Sequence, residues 1–214
     1  MGTRTREPRV GRPRATPDTG VADLEPRAQI LDAAGGLFAE NGYAGTSTRA
    51  IAERVGVRQA SLYYHFAGKD DILLELLETS VRPSLAFVDT LLAHDDRAVA
   101  LFALATIDVG TLLATPHNIG TLYLAHEVQH PRFDTFRAHR DELQSAYTSL
   151  AGGSAFSGAC CMQLVELVIQ LRRDGEPDRD AVGEIPLACL RVIGTPASAL
   201  ARLARDGARL VASL

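Results

Sequence analysis

The segment TSTRAIAERVGVRQASLYYHF, residues 46–66, contains two short helical patterns separated by a glycine. The apolar side chains of the first pattern share one face: Ile51, Ala52 and Val55. Gly56 suits the left-handed position that ends a helix, and Thr46 or Ser47 is suited to cap its beginning. Two short helices joined across a tight turn of this kind predict a helix-turn-helix.

The flanking sequence supplies further helices against which this pair can pack. An apolar stripe at helical spacing begins after Pro26 and comprises Ile30, Leu31, Ala34, Leu37 and Phe38. Asn41-Gly42 is expected to end that helix, with Gly42 in the left-handed conformation. A longer helix is predicted from Lys69, because acidic residues in its first turn complement the helix macrodipole.

The second short helix carries an unusual density of aromatic residues for a chain that is 6% aromatic. Leu62 and Phe66, four residues apart, share the inward face, so the residues between them cannot all be buried. Those left for the outer faces are Gln59, Ser61, Tyr63, Tyr64 and His65. In a helix-turn-helix the second helix enters the DNA major groove, where tyrosine and histidine suit phosphates, sugars and thymine methyl groups. Tyr63 also fits a partly buried position near the seam with the first helix.

Residues 26–78 resemble the DNA-binding domain of the TetR family of bacterial transcriptional regulators. The matching features run in order as Gly-Tyr, Thr/Ser, Ile-Ala, Gly-Val, Leu-Tyr, His-Phe and a lysine followed by acids and leucines. The resemblance implies that the following residues lie at double-stranded operator DNA: Thr48, Arg49, Gln59, Ala60, Ser61, Tyr63, Tyr64 and His65. It also implies that Lys69 holds a phosphate.

Two arginines in this region have more than one interpretation. Arg58 stands where the family often has a serine N-cap, so the cap is weakened and an arginine for a base or a phosphate is gained. Arg49 is predicted to face DNA, but it is also spaced to pair with Glu53 four residues on.

Residues 1–22 are expected to form a disordered basic arm, because they are rich in Arg, Pro, Gly and Thr. The stretch GRPRA at residues 11–15 resembles the core of segments that bind the DNA minor groove, which attracts arginine. The alternative is a solubilising tail.

Composition bounds the class of protein. The formal net charge of −4 gives no indication of a polyanionic partner, and the polar start has no secretory signal. The apolar run 98–114 is short for a membrane span and carries Asp108, which favours a buried helix. Three cysteines do not suggest a disulfide framework, so a cytoplasmic protein without a membrane partner is expected.

The remainder of the chain is predicted to be all-α. The candidate helices are 70–92, 96–114, 117–128, 132–150, 158–174, 180–193 and 197–213, and Pro186 is expected to kink or shift a boundary. We therefore divide the chain into an arm (1–22), a helix-turn-helix domain (23–70) and a ligand-binding and dimerisation domain (71–214).

The run CCMQLVELVIQL is apolar around most of its circumference, so it is either central in the monomer or part of a subunit interface. The family resemblance favours an interface, in a homodimer built as a four-helix bundle.

An apolar domain with scattered polar groups is typical of an effector site. The candidate ligand residues are Thr106, Asp108, Tyr123, His126, Tyr147 and Glu166. The expected effector is a small, largely apolar molecule that tilts the helix from Lys69 and thereby releases DNA.

Residues 126–130, HEVQH, match the pattern of zinc proteases. Pro131 follows at once and no third ligand motif is present, so an enzyme is not favoured. A regulatory metal site using His126 and His130, with or without His117 or His139, is an alternative, but exposed histidines at a helix end are the default, and no cofactor is expected. The sequence thus predicts a dimeric repressor released from a palindromic operator by an effector. The alternatives are a zinc-dependent hydrolase and a DNA-binding protein without an effector.

Overall fold

The computed structural model describes residues 25–175 and 177–214, and these form an all-α fold. The first helices are α1 (Pro26–Asn41), α2 (Thr48–Val55), α3 (Gln59–His65), α4 (Lys69–Thr79), α5 (Arg82–Leu85) and α6 (Val88–Leu92). They are followed by α7 (Arg97–Ala114), α8 (Asp134–Leu150), α9 (Ala155–Leu171), α10 (Arg179–Val192) and α11 (Ala197–Ser213). Short 3-10 segments cover Pro116–Leu122, His126–Gln129, Pro131–Phe133 and Arg172–Asp174. The predicted arm, residues 1–22, lies outside the described residues.

Helices α1 to α3 form the predicted helix-turn-helix around a common apolar core. The stripe of α1 is buried at Ile30, Ala34 and Phe38, whereas Leu31 is only partly covered. Leu62 of the second short helix and Phe66 at its C-cap are buried in the same apolar core, as their spacing predicted. The local pattern of apolar residues was therefore sufficient to predict this unit.

The predicted capping residues are confirmed in α2 and need correction in α1. Ser47 is the N-cap of α2, where its hydroxyl accepts a hydrogen bond from the backbone N–H of Ala50. Gly56 ends that helix in the left-handed conformation, with φ 80° and ψ 23°. Gly42 ends α1 with φ 71° but ψ 167°, so it turns the chain away in an extended form. Thr46 supports this exit, since its hydroxyl donates to the carbonyls of Leu37 and Gly42.

The single helix predicted over 70–92 is wrong. Helix α4 ends at Thr79, and the chain continues through the short helices α5 and α6. Pro83 has no N–H to continue the hydrogen-bond ladder and favours the first turn of a new helix. The buried Ser80 hydroxyl donates to the Leu77 carbonyl and accepts from Tyr123, which holds the break in place.

The helix predicted over 117–128 is also wrong, because 3-10 segments occupy most of that stretch. The helix expected from residue 158 begins earlier, at Ala155, because Ser154 caps it, and it ends at Leu171. The other four predicted helices lie within about two residues of their expected bounds. Pro186 lies inside α10 without ending it.

Helix α7 is the centre of the larger helical unit. It packs against α8, α9, α10 and α11 and is almost fully covered along Leu101–Ala105. By length and composition alone this is the one helix among the described residues that could cross a membrane, and its packing is that of a core helix. Cys161 of α9 and Cys189 of α10 meet beside it, each thiol donating to the other's backbone carbonyl at 3.8 and 3.7 Å.

Candidate DNA interface and effector region

The outer surface of α2 and α3 carries nearly all of the predicted DNA-binding side chains. Tyr64 is 86% exposed and Tyr63 is 49% exposed, although the neighbouring Leu62 is completely buried. The other exposed members are Arg49, Arg58, Gln59, Ala60 and Ser61, while Thr48 and His65 are partly covered. The fold thus presents these residues on one surface, with aromatic rings facing solvent.

Three of these side chains are already joined by hydrogen bonds across the turn. The Gln59 amide donates to the Thr48 hydroxyl at 3.0 Å and lies 3.5 Å from the Tyr63 hydroxyl. The Thr48 and Tyr63 hydroxyls are 3.2 Å apart. The Tyr63 hydroxyl is therefore held at the α2–α3 seam, and its ring remains half exposed. This arrangement orders polar groups on the surface before any ligand binds.

Both arginines with alternative interpretations are exposed. Arg49 donates to Glu53 at 2.9 Å, and this contact raises the pKa of the guanidinium. An exposed pair of this kind contributes little to stability, so Arg49 can exchange Glu53 for a phosphate at small cost. Arg58 occupies the N-cap of α3 but makes no side-chain capping bond, in agreement with the weakened cap predicted for it.

Lys69 has a structural role that the sequence did not reveal. Its ammonium donates to the backbone carbonyls of Tyr43 and Thr46, both at 2.8 Å, and lies 4.0 Å from the centre of the Tyr43 ring. Partial burial lowers the pKa of Lys69. Two of its three donors are thus occupied inside the fold, and the predicted phosphate contact stays a prediction that the remaining donor would have to serve.

The six candidate effector residues do not surround a single cavity. Asp108 is fully buried, where it accepts hydrogen bonds from Ser84 at 2.9 Å and Tyr147 at 3.0 Å. Burial raises the pKa of Asp108 to about 6, although both hydrogen bonds act to lower it. The Thr106 hydroxyl donates to the Phe102 carbonyl within its own helix. Asp108 and Thr106 therefore find their hydrogen-bond partners within the protein itself.

Tyr123 and Glu166 instead line a groove of about 290 Å³ beside α9. Between them lies Arg140, which pairs with Glu166 at 2.6 Å and stacks over the Tyr123 ring at 4.3 Å. Arg140 was not identified from the sequence. Its spacing was a usable signal, because it follows Phe136 by four residues and precedes Leu143 and Tyr147 by three and seven. This spacing places Arg140 on the buried stripe of α8.

His126 lies apart from both groups, in a cleft of about 480 Å³ between the helix-turn-helix and the 3-10 segments. The HEVQH stretch forms a single 3-10 turn rather than an α-helix, so the two histidines do not share the face that zinc proteases require. His117 contacts Asp32, and His139 contacts Glu78. Among residues 25–175 and 177–214, no group of three histidine, cysteine or acidic side chains is placed to hold a metal ion.

Residues 30–76 match the family model described as bacterial regulatory proteins, tetR family. The crystal structure of AmtR from Mycobacterium smegmatis is 42% identical, with a TM-score of 0.82, over 89% of this chain and 96% of that one. The chain belongs to the TetR family. The repressor KstR2 of Rhodococcus jostii is 28% identical over 69% of this chain and 74% of its own length.

A more distant solved structure shows the shared fold alone. AibR, in complex with isovaleryl coenzyme A and operator DNA, is 15% identical with a TM-score of 0.64 over 80% of this chain and 100% of that one. The family model is described as regulatory proteins, and the relative KstR2 is described as a helix-turn-helix transcriptional repressor. The TetR assignment confirms the resemblance, the all-α fold class and the regulatory function inferred from the sequence.

Proposed function

We propose that this TetR-family chain is a homodimeric repressor that binds an inverted-repeat operator through the exposed surface of α2 and α3 and is released by a small effector. The main support for this DNA-binding surface is the exposure of Tyr63 and Tyr64 beside the buried Leu62. Exposed rings are costly to leave in water, and a groove of DNA gives them sugars and methyl groups to contact. The proposed site comprises Thr48, Arg49, Arg58, Gln59, Ala60, Ser61, Tyr63, Tyr64, His65 and Lys69.

The proposed division into a DNA-binding unit (23–70) and an effector and dimerisation unit (71–214) falls at the start of α4, which packs on α1 of the first unit and on α8 of the second. The arm, 1–22, is proposed to add phosphate or minor-groove contacts. Operator binding by such a protein takes place in the cytoplasm, where bacterial DNA lies.

The exposed face of α9 supports the position of the dimer interface. Phe156 is 80% exposed and Leu167 is 43% exposed, whereas Cys161, Val165 and Val168 on the opposite face are completely buried. Burial of a side chain as exposed as Phe156 stabilises association by up to about 1.5–3 kcal/mol, and burial of the half-covered Leu167 contributes less. Helix α9 is thus proposed to serve the monomer core with one face and the partner with the other.

The groove beside α9 is the proposed effector site. Its apolar part is Leu124, Leu167 and Ile169, and its polar anchors are Arg140 and Glu166. An effector that carries an acidic group would compete with Glu166 for Arg140, while its apolar part covers the leucines. The AibR complex holds a coenzyme A ester with operator DNA, which gives a precedent in this fold for an effector with both apolar and anionic parts.

The operator is first obtained by selection from random duplexes, and its affinity is then measured by gel shift. Tyr64→Ala and Arg49→Ala should abolish or strongly weaken binding while leaving circular dichroism and dimer mass unchanged. Asp141→Asn, an exposed change on α8, is the control and should bind like the wild type. Wild-type affinity in either of the first two variants contradicts the assigned surface.

A screen of small carboxylic acids and their thioesters then tests the effector. A compound that raises the melting temperature should also lower operator affinity by about 5–150-fold. A DNA-binding protein without an effector would show specific operator binding that no stabilising compound changes.

A further inference from the structure

The connection between the DNA-binding unit and the larger unit is not a single long helix, because α4 ends at Thr79. A second connection exists where the Pro116–Leu122 segment packs against α1. This segment follows the end of α7 directly, so it lies between the core of the larger unit and the helix-turn-helix.

The backbone of this segment is strained at two adjacent positions. His117 has φ 56° and ψ 18°, and Asn118 has φ 49° and ψ 46°. Within the described part of the chain, these are the only residues other than glycine with positive φ. Residues with a side chain seldom adopt this left-handed region, although Asn and His do so more readily than most, and two such residues in succession persist where surrounding contacts hold them. The contacts on each side of this pair of residues therefore show what holds the conformation in place.

On one side, the His117 ring occupies a notch in α1 made by two consecutive glycines. A Cβ atom on Gly35 would lie 2.9 Å from His117 Cδ2, and one on Gly36 would lie 3.4 Å from Cε1. The ring is fixed by His117 Nε2, which lies 2.7 Å from the Asp32 carboxylate on the preceding turn of α1. Glycines inside a helix are unfavourable, and here their absence of a side chain admits the imidazole.

On the other side, Asn118 joins the segment to the end of α9. Its amide donates to the Ile169 carbonyl at 2.9 Å, which lies in the last turn of that helix. Gly120 packs so closely on Ile169 that an added Cβ would lie 2.5 Å from its Cδ1 atom. Arg172 completes the junction, since its guanidinium donates to the carbonyls of Leu112 and Thr115 at the end of α7.

We infer that His117 and Asn118 are positioning residues that fix the helix-turn-helix relative to α7 and α9 and thereby set the operator spacing that the dimer accepts. This inference rests on the proposed function, in which α9 carries the subunit interface. The path from the partner to the recognition helix then runs from α9 through Asn118 and His117 to α1. Two half-sites are read together only when both recognition helices are held at one distance, about one turn of DNA apart or a multiple of it.

The experiment measures affinity for a panel of operator duplexes that differ only in the length of the spacer between the half-sites. The wild type should prefer one spacer by about tenfold or more over spacers changed by one or two base pairs, a factor at the low end of typical coupling between sites. His117→Ala empties the notch, and Asn118→Gly relieves the strained φ but removes the bond to Ile169. Both should reduce the preference to about threefold or less while affinity for an isolated half-site stays unchanged.

Two glycine-to-alanine substitutions, at Gly35 and Gly110, provide a matched test and control. Gly35→Ala places a methyl group against the His117 ring and should broaden spacer preference, whereas Gly110→Ala lies in another helix with open space around the new methyl group and should not. In the double variant Gly35→Ala/His117→Ala, the clash is gone, so the spacer preference should equal that of His117→Ala alone. Non-additivity of this kind identifies a direct contact between the two positions.

The outcomes separate this inference from the proposed function. A wild type that binds no inverted repeat overturns both. If the wild type has a sharp spacer preference and the His117→Ala variant retains it, the positioning role alone is overturned. This conclusion holds whatever spacer preference the Gly35→Ala variant shows. Equal loss of affinity for half-sites and full operators in His117→Ala also overturns it, because that pattern indicates a damaged helix-turn-helix rather than a misplaced one.

Discussion

Replacing the buried Asp108 by asparagine should stabilise the protein at neutral pH and have little effect in acid. The carboxyl is fully buried, and the groups that contact it are the hydroxyls of Ser84 and Tyr147, with no positively charged side chain among its hydrogen-bond donors. Burial raises its pKa from an ordinary value of 3.8 to about 6. The folded protein therefore favours the neutral acid, whose stabilising contribution is present in full below about pH 4 and is lost as the pH rises through 6.

The magnitude follows from the size of that pKa change. A change of about two pH units corresponds to about 3 kcal/mol, at about 1.4 kcal/mol per unit. Asparagine has nearly the same shape, does not ionise and still offers an oxygen to one hydroxyl. At pH 7.5 the free energy of unfolding of Asp108→Asn should thus exceed that of the wild type by up to about 3 kcal/mol, and the difference should disappear near pH 4.

Urea unfolding followed by circular dichroism at a series of pH values measures this difference. All samples need one protein concentration, because dimerisation makes apparent stability depend on it. Asp141→Asn on the exposed face of α8 is the control and should follow the wild-type curve. Parallel curves for Asp108→Asn and the wild type from pH 4 to 7.5 would refute the account of a buried, mostly unfavourable charge.

Three further changes test separate parts of the structure. Tyr147→Phe removes one donor from the Asp108 carboxyl and should destabilise the fold by about 1–3 kcal/mol at neutral pH, measured by urea unfolding. Ser47→Ala removes the N-cap of α2 and should cost about 0.5–2 kcal/mol, with Ser149→Ala on the exposed face of α8 as a comparison. The logarithm of operator affinity should fall linearly with the logarithm of salt concentration, and deletion of residues 1–22 should make that slope shallower; an unchanged slope would leave the arm without phosphate contacts.

The sequence predicted the helix-turn-helix well because its signals are local. Ser47, Gly56 and the spacing of Leu62 and Phe66 act within one or two turns, so a single sequence is enough to read them. The break after Thr79 was less accessible, although Pro83 marked it. The apolar pattern continues through α5 and α6, and only the buried bonds of Ser80 and Ser84 show why the chain bends there.

The effector region could not be predicted because it depends on contacts between distant residues. Asp108 and Tyr147 were predicted as ligand contacts, and the structure shows that they bond to each other across 39 positions of sequence. The strained conformation of His117 has no signal in its neighbours, since the glycines that receive its ring are in another helix. Polar residues in an apolar segment therefore indicated importance without revealing whether the partner was a ligand or the protein itself.

Lys69 is the only lysine in the sequence, and its ammonium is held between the carbonyls of Tyr43 and Thr46. A reagent that acylates primary amines thus has one side-chain target in each chain, at the base of the DNA-binding unit. Because a protonated, hydrogen-bonded amine is a poor nucleophile, the rate of acylation at Lys69 reports how often this contact opens. The protein carries, without any engineering, a single side-chain probe of motion between α4 and the turn that precedes α2, and peptide mapping distinguishes it from acylation of the α-amino group.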